Sequence, residues 1–137
     1  MKKAIAVLFV FGFILMAFGV VFSQTVYTGI IFEAQHLSFL PSASPKILDE
    51  DGREVYGSAY VDKGWVEKQG IVGYAKSLDE AKVNQRVAEN PLVIKAVKVT
   101  GANNRDLVIS NEDARKIREL ARNINFLERS KVMIVVP

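Results

Sequence analysis

The chain opens with Met1-Lys2-Lys3 and then runs from Ala4 to Phe22 without a charged or polar side chain. As a helix, these 19 residues would span roughly 28 Å, close to the hydrocarbon thickness of a bilayer, about 30 Å. A basic start followed by an apolar run is the pattern of a secretory leader. Because the run is apolar on every face, it does not fit a surface helix of a globular domain.

The sequence leaves two fates open for this leader. Val21-Phe22-Ser23 places small residues at the −3 and −1 positions of a cleavage site, with Gln24 as the new first residue. The apolar run is longer than the usual 7–15 residues or so of a signal peptide, so an uncleaved membrane anchor is the alternative. We therefore expect a signal peptide or anchor over residues 1–23 and one exported domain over residues 24–137.

In both cases the lysines stay inside and the domain lies in the periplasm or another extracytoplasmic space. Only an uncleaved leader would hold it in the inner membrane, and we expect no other membrane contact. The formal net charge is +3, of which Lys2 and Lys3 supply two, so the domain itself is nearly neutral and no nucleic-acid partner is expected. The chain has no cysteine, which excludes disulfides, thiolate ligands and a lipid attached through cysteine.

The sequence of the first half of the domain predicts short strands. Residues 26–34 are rich in β-branched and aromatic side chains, which is typical of a strand. Residues 46–48 and 54–56 flank Asp51-Gly52, and this combination predicts a β-hairpin because glycine supplies the positive φ of the turn. Residues 57–76 have no clean hydrophobic period.

The second half alternates helices and strands. Ser77 and Glu80 form a capping-box pattern that predicts a helix over residues 77–89. Residues 92–100 are apolar at both parities, which indicates a central strand. A further strand is predicted over residues 106–109 and a last one over residues 131–136.

Ser110 is expected to cap a second helix over residues 112–125, in which Ile117, Leu120 and Ile124 form one apolar stripe. The resulting order, β-ββ-α-β-β-α-β, predicts an α+β domain. We expect a mixed, mostly antiparallel sheet with two main helices packed on one face, after the N-terminal signal or anchor helix. The final β-α-β step could form a right-handed parallel crossover.

Four short segments carry a resemblance to a known family. They are residues 45–49 (PKILD), 51–57 (DGREVYG), 90–93 (NPLV) and 106–110 (DLVIS). They resemble small exported bacterial envelope proteins similar to the lipoproteins linked to flagellar assembly. The segments are a hairpin, strands and a cap, so the resemblance implies a fold and no chemistry. Those lipoproteins carry a cysteine at the cleavage point, where this chain has Ser23-Gln24.

No motif predicts an enzyme, a cofactor or a metal site. His36 is the only histidine, so any histidine-based acid–base scheme must use it, and no serine lies in a nucleophile-elbow context. Asp49, Asp51 and Glu54 faintly suggest a calcium loop, but an EF-hand needs about twelve residues and a late bidentate glutamate. The hairpin accounts for the same residues with fewer assumptions.

Residues 57–76 are the strongest candidate for a binding surface. Long connections without regular structure are often functional. Tyr60, Trp65 and Tyr74 offer flat amphipathic rings suited to a sugar or a protein partner. The competing interpretation is a helix near residues 61–69 that buries Trp65 in the core.

A second candidate is the side of the last helix opposite its apolar stripe. Arg115, Arg118 and Arg122 follow helical spacing there and could meet lipid headgroups, an acidic polymer or an acidic partner. The alternative is a solvated helix face. We expect a non-enzymatic envelope protein that acts through contacts with an envelope partner or itself. The alternative function is binding of cell-wall or other polysaccharide by residues 57–76.

Overall fold

The computed structural model describes residues 25–137, which form three helices and two four-stranded sheets. The predicted leader lies outside the described residues. Within the described part, none of the helices has both the length and the apolar character needed to cross a bilayer.

The first sheet is entirely parallel, with strand order β4-β8-β1-β5. Its strands are β1 (Gly29–Glu33), β4 (Gly73–Ala75), β5 (Pro91–Lys95) and β8 (Val132–Val135). The two central strands are almost wholly buried, which accounts for their continuous apolar sequences.

The second sheet has order β3-β2-β7-β6 and mixed strand directions. Its strands are β2 (Ile47–Leu48), β3 (Glu54–Tyr56), β6 (Lys98–Thr100) and β7 (Asp106–Val108). β2 and β3 form the predicted antiparallel hairpin, and Gly52 at its turn has a φ of 82°. β7 pairs in parallel with β2 and antiparallel with β6.

One hydrophobic core joins the two sheets. Phe32 and Ile134 enter it from the first sheet, and Ile47 and Leu107 enter it from the second. The helix α3 (Asn111–Leu120) covers it with Ala114 and Ile117. The opposite face of the first sheet forms a smaller core around Ile31 and Met133, which the short helix α2 (Leu78–Lys82) covers with Ala81.

The α+β class is confirmed, but the strands pair differently from the predicted single, mostly antiparallel sheet. Four of the six strand pairs are parallel, and they are divided between two sheets. The predicted strand over residues 92–100 is in fact two strands. The Ala96 N–H donates to Glu33 in the first sheet, and the Val97 N–H donates to Val108 in the second. The chain thus changes sheets between Ala96 and Val97. Leu92 and Ile94 are buried before this change and Val99 packs on the core after it, whereas Val93 and Val97 are exposed.

Three further expectations about the elements need correction. β7 and β8 lie in different sheets, so α3 does not form a parallel crossover within one sheet. The two predicted helices do not share a face, because α2 covers the smaller core and α3 the larger one. α2 ends at Lys82, because the Asn84 side chain accepts a hydrogen bond from the Arg86 N–H and turns the chain.

Candidate functional site

A concave surface of about 550 Å³ lies beside the helix α1 (Lys63–Gln69). We call it the Trp65 cleft. It is lined by α1, by β4, by the loop after α2 and by the start of β8. Its residues are Trp65, Gln69, Gly73, Tyr74, Asn84, Gln85, Arg86, Lys131 and Met133.

Trp65 is partly buried on α1, so the competing interpretation is correct about a helix in this segment and wrong about burial of Trp65 in the core. The expected helix forms, but the indole does not enter either hydrophobic core. The Lys68 ammonium lies 5.5 Å from the ring centroid, and the Arg129 guanidinium carbon lies 5.9 Å from it. These cation–π contacts restrict the ring while leaving part of it accessible.

Tyr74 contributes its ring to the cleft, but its hydroxyl is occupied. The hydroxyl donates to the Ser42 carbonyl oxygen at 2.5 Å and accepts from the Ser42 N–H at 3.0 Å. Burial raises the pKa of Tyr74, and the hydrogen bonds with Ser42 oppose the rise. The Phe39 ring packs 6.2 Å away, centroid to centroid. Tyr74 is therefore a fixed wall of the cleft.

Arg86 ties together two segments of the cleft. Its guanidinium donates to the Ser130 carbonyl oxygen at 2.9 Å and to the Gln69 carbonyl oxygen at the end of α1. The Gln69 amide in turn donates to the Ser130 hydroxyl at 2.8 Å. Arg86 is partly buried, and this burial lowers its pKa.

Tyr60 is not part of the Trp65 cleft. It lies 38% exposed in a separate groove of about 530 Å³ between the β3–α1 connection and α3, and its hydroxyl donates to the Glu54 carbonyl oxygen at 3.0 Å. The structure thus brings together Trp65 and Tyr74 and separates Tyr60 from both.

The three arginines predicted on the last helix have different surroundings, and Arg122 lies beyond the end of α3 at Leu120. Arg118 donates to the buried carboxylate of Asp49 at 3.1 Å, so it links α3 to the hairpin. Arg115 lies exposed at a small depression beside that pair. Arg122 lines the groove that contains Tyr60. They do not form one free basic face, because Arg118 has a buried partner.

Asp49 organises the hairpin turn that faintly suggested a calcium loop. One carboxylate oxygen accepts the backbone N–H groups of Asp51 at 3.0 Å and Arg53 at 2.8 Å. Desolvation raises the pKa of Asp49, but the hydrogen bonds from Arg53, Arg118 and Asp51 outweigh it and hold that pKa below its usual value. The carboxylate is therefore engaged in structure.

His36 also makes a structural contact, since its Nε2 lies 2.9 Å from the Ala96 carbonyl oxygen. Among residues 25–137, no three histidine or acidic side chains are grouped in a way that could hold a metal ion.

Sequence reasoning missed Arg86, Asn84, Gln85 and Lys131. The first three lie in the stretch that was predicted as helix 77–89, and Lys131 comes directly before β8. The Asn90-Pro91 stop marks the end of the segment, and the local signal for an earlier end is Asn84, whose side chain accepts the Arg86 N–H. Only the packing of four separate segments brings these side chains to Trp65.

The sequence matches a family described as Treponema pallidum Tp0624, second domain, over residues 29–137. The chain therefore belongs to this bacterial family. The description names a domain and states no activity. A search of curated proteins finds no match to the chain.

Proposed function

We propose that the protein is a non-enzymatic, exported domain of the cell envelope that binds a cell-wall polysaccharide in the Trp65 cleft. The observation that carries this proposal is the juxtaposition of Trp65 with two exposed amide side chains, Asn84 and Gln85. An aromatic ring can pack against the apolar face of a sugar, and amides can bond its hydroxyl and acetamido groups.

The hydroxyl groups nearest the cleft are already hydrogen-bonded within the protein, which fits a binding role. The Tyr74 hydroxyl is held by Ser42, and the Ser130 hydroxyl receives hydrogen bonds from Gln69 and Arg86. These groups position the walls rather than present an activated nucleophile. Export is supported by the leader sequence, whether it is cleaved or retained as an anchor.

The proposal is tested by co-sedimentation of the full-length protein with isolated peptidoglycan sacculi. Trp65→Ala should weaken binding by at least about fivefold, since loss of an aromatic contact costs about 1 kcal/mol. Tyr60→Ala is the matched control, because Tyr60 lies in the separate groove and its removal should leave binding unchanged. Equal binding by Trp65→Ala and the unsubstituted protein would contradict the proposal.

A second candidate is self-association within an envelope assembly, and β5 favours it. β5 is an edge of the first sheet, with Val93 37% exposed and Val97 just beyond it 51% exposed. An edge strand offers backbone groups for pairing with another chain. The resemblance to lipoproteins linked to flagellar assembly supports the same role.

Self-association is tested by chemical cross-linking and sedimentation velocity of the full-length protein. Val93→Lys combined with Val97→Lys should abolish an oligomer that forms through this edge. Val83→Lys is the control, because Val83 is 79% exposed and lies outside β5. A protein that is monomeric at every concentration would rule out this candidate.

A further inference from the structure

The Trp65 cleft carries positive charge without an acidic counterpart. Arg86 and Lys131 line it, and none of its described lining residues is acidic. Within residues 25–137, Arg86 has no carboxylate oxygen at ion-pair distance, and its charge is met only by neutral oxygens of Gln69 and Ser130.

The buried carboxylate of Asp49 differs from Arg86 in having partners of opposite charge. Asp49, whose side chain is 1% exposed, has both Arg118 and Arg53 as partners. At Asp49 the fold therefore matches a buried charge with charges of opposite sign. No carboxylate in the cleft neutralises the partly buried guanidinium of Arg86, so its positive electrostatic potential extends into the cleft. This potential is stronger where water is partly excluded.

Part of the Arg86 guanidinium also remains available. Among the described residues its two terminal nitrogens have acceptors, and its Nε has none. The Nε faces the floor of the cleft at Gly73, where an added Cβ would lie 2.9 Å from Nε and 2.5 Å from the Met133 sulfur. Glycine at this position therefore lets the guanidinium lie close against the floor of the cleft.

We infer that the Trp65 cleft selects an acidic glycan: Trp65 packs on a sugar ring while Arg86 Nε and Lys131 Nζ bind a carboxylate or phosphate on the same ligand. This inference rests on the proposed polysaccharide binding and names its ligand class. Charge-assisted hydrogen bonds to a guanidinium are roughly twice as strong as neutral ones, so the acidic group provides selectivity.

The test compares three probes by isothermal titration of the full-length protein. A disaccharide muropeptide supplies carboxylates, soluble wall teichoic acid supplies phosphates, and chitotetraose is neutral. We expect at least one acidic probe to bind about tenfold more tightly than chitotetraose. Its affinity should fall as sodium chloride rises from about 0.05 to 0.5 M, because salt screens the charges. If only the muropeptide binds tightly, the acidic group that the cleft recognises is a carboxylate. If only teichoic acid binds tightly, that group is a phosphate.

Lys131→Gln is the variant of choice, because Arg86 also holds Gln69 and Ser130 and its loss would disturb the fold. Lys131→Gln should weaken the acidic probe about fivefold and leave chitotetraose unchanged. Lys98→Gln, an exposed lysine on β6, is the control and should change neither. Arg86→Lys keeps the charge without the fork, so it should retain more of the affinity than Arg86→Gln.

Polysaccharide binding and acidic selectivity are contradicted by different results. If all three probes bind alike and without salt dependence, the acidic selectivity is overturned and polysaccharide binding stands. If none binds, both are overturned. If the acidic probe binds and Lys131→Gln does not weaken it, the acidic group lies elsewhere and the inference is overturned.

Discussion

Asp49 shows at the scale of a single residue how this fold uses a buried charge. Its carboxylate joins the hairpin turn to α3, since it accepts N–H groups from Asp51, Arg53 and Arg118. These bonds stabilise the ionised form, and they hold the pKa of Asp49 below its usual value although desolvation raises it. A carboxyl group with a lowered folded-state pKa adds stability above its unfolded pKa and loses it as the pH falls.

We predict that Asp49→Asn destabilises the protein at pH 7, because the new amide N–H₂ would face the Arg118 donor. The unsubstituted protein should lose stability as the pH falls below about 4, the unfolded pKa of aspartate. Asp49→Asn should show a smaller loss over that range. Melting temperatures by circular dichroism from pH 7 to pH 2 check this. Asp51→Asn, with a side chain 60% exposed, is the control. Identical pH profiles for Asp49→Asn and the unsubstituted protein would contradict the assignment.

Gly29 is required by close packing rather than by a special backbone angle. A Cβ there would lie 2.8 Å from the Lys131 carbonyl oxygen and 2.8 Å from the Val87 Cα, which are backbone atoms that cannot swing away. The glycine in the middle of the predicted first strand is therefore explained by a close backbone approach, one of the two uses expected of a strand glycine.

We predict that Gly29→Ala destabilises the fold by about 1–3 kcal/mol, the usual cost of overpacking. Gly64→Ala is a matched control, because nothing lies within 4 Å of its Cβ position in α1. That change should stabilise the protein by about 0.5–1 kcal/mol through helix propensity. Urea unfolding followed by far-UV circular dichroism measures both. A neutral Gly29→Ala would show that β1 can move away from Val87 and Lys131.

At the scale of elements, α3 is the helix that its sequence specifies most completely. Ser110 caps it by accepting the Asp113 N–H at 3.0 Å, and Ala114 and Ile117 are fully buried. The predicted start is therefore confirmed, while the helix ends at Leu120 rather than at residue 125. Phe126 and Leu127 enter the core in the connection that follows α3.

Removal of the α3 cap should be measurable. We predict that Ser110→Ala lowers the free energy of unfolding by about 1 kcal/mol, since one helix N–H group loses its acceptor. Ser44→Ala, at an exposed position in the connection before β2, should change it by less than about 0.5 kcal/mol. Urea unfolding gives both values. Equal effects of the two substitutions would argue against the cap.

At the scale of the whole molecule, the two sheets depend on one another. Ile134 of the first sheet and Ile47 of the second are both 0% exposed in the same core. Neither sheet could unfold alone without exposing the apolar side chains of the other, so the described domain should unfold as one cooperative unit.

We therefore predict one unfolding transition in urea, with Trp65 fluorescence and far-UV circular dichroism giving the same midpoint. Trp65 reports the cleft beside the first sheet, and it is the only tryptophan in the chain. Ile47→Val and Ile134→Val should each destabilise the protein by about 0.5–1.5 kcal/mol and shift both signals together. Separate midpoints for Ile47→Val would show that the sheets unfold independently.

The sequence by itself determined the features that depend on neighbours along the chain. Asp51-Gly52 predicted a hairpin, Ser77 and Ser110 predicted the starts of helices, and apolar runs predicted buried strands. These signals are local, because turns and helix caps form between residues that are close in the sequence. The prediction of an exported leader also rests on local composition alone.

Only the tertiary structure decided how these elements combine. Residues 92–100 are divided between two sheets, and most strand pairs are parallel where antiparallel pairs were expected. Trp65 lies in one cleft with Arg86 and Lys131. Strand partners and cleft walls come from segments far apart in the chain. Their choice depends on which arrangement buries the apolar faces of both sheets together, and no short window of sequence contains that information.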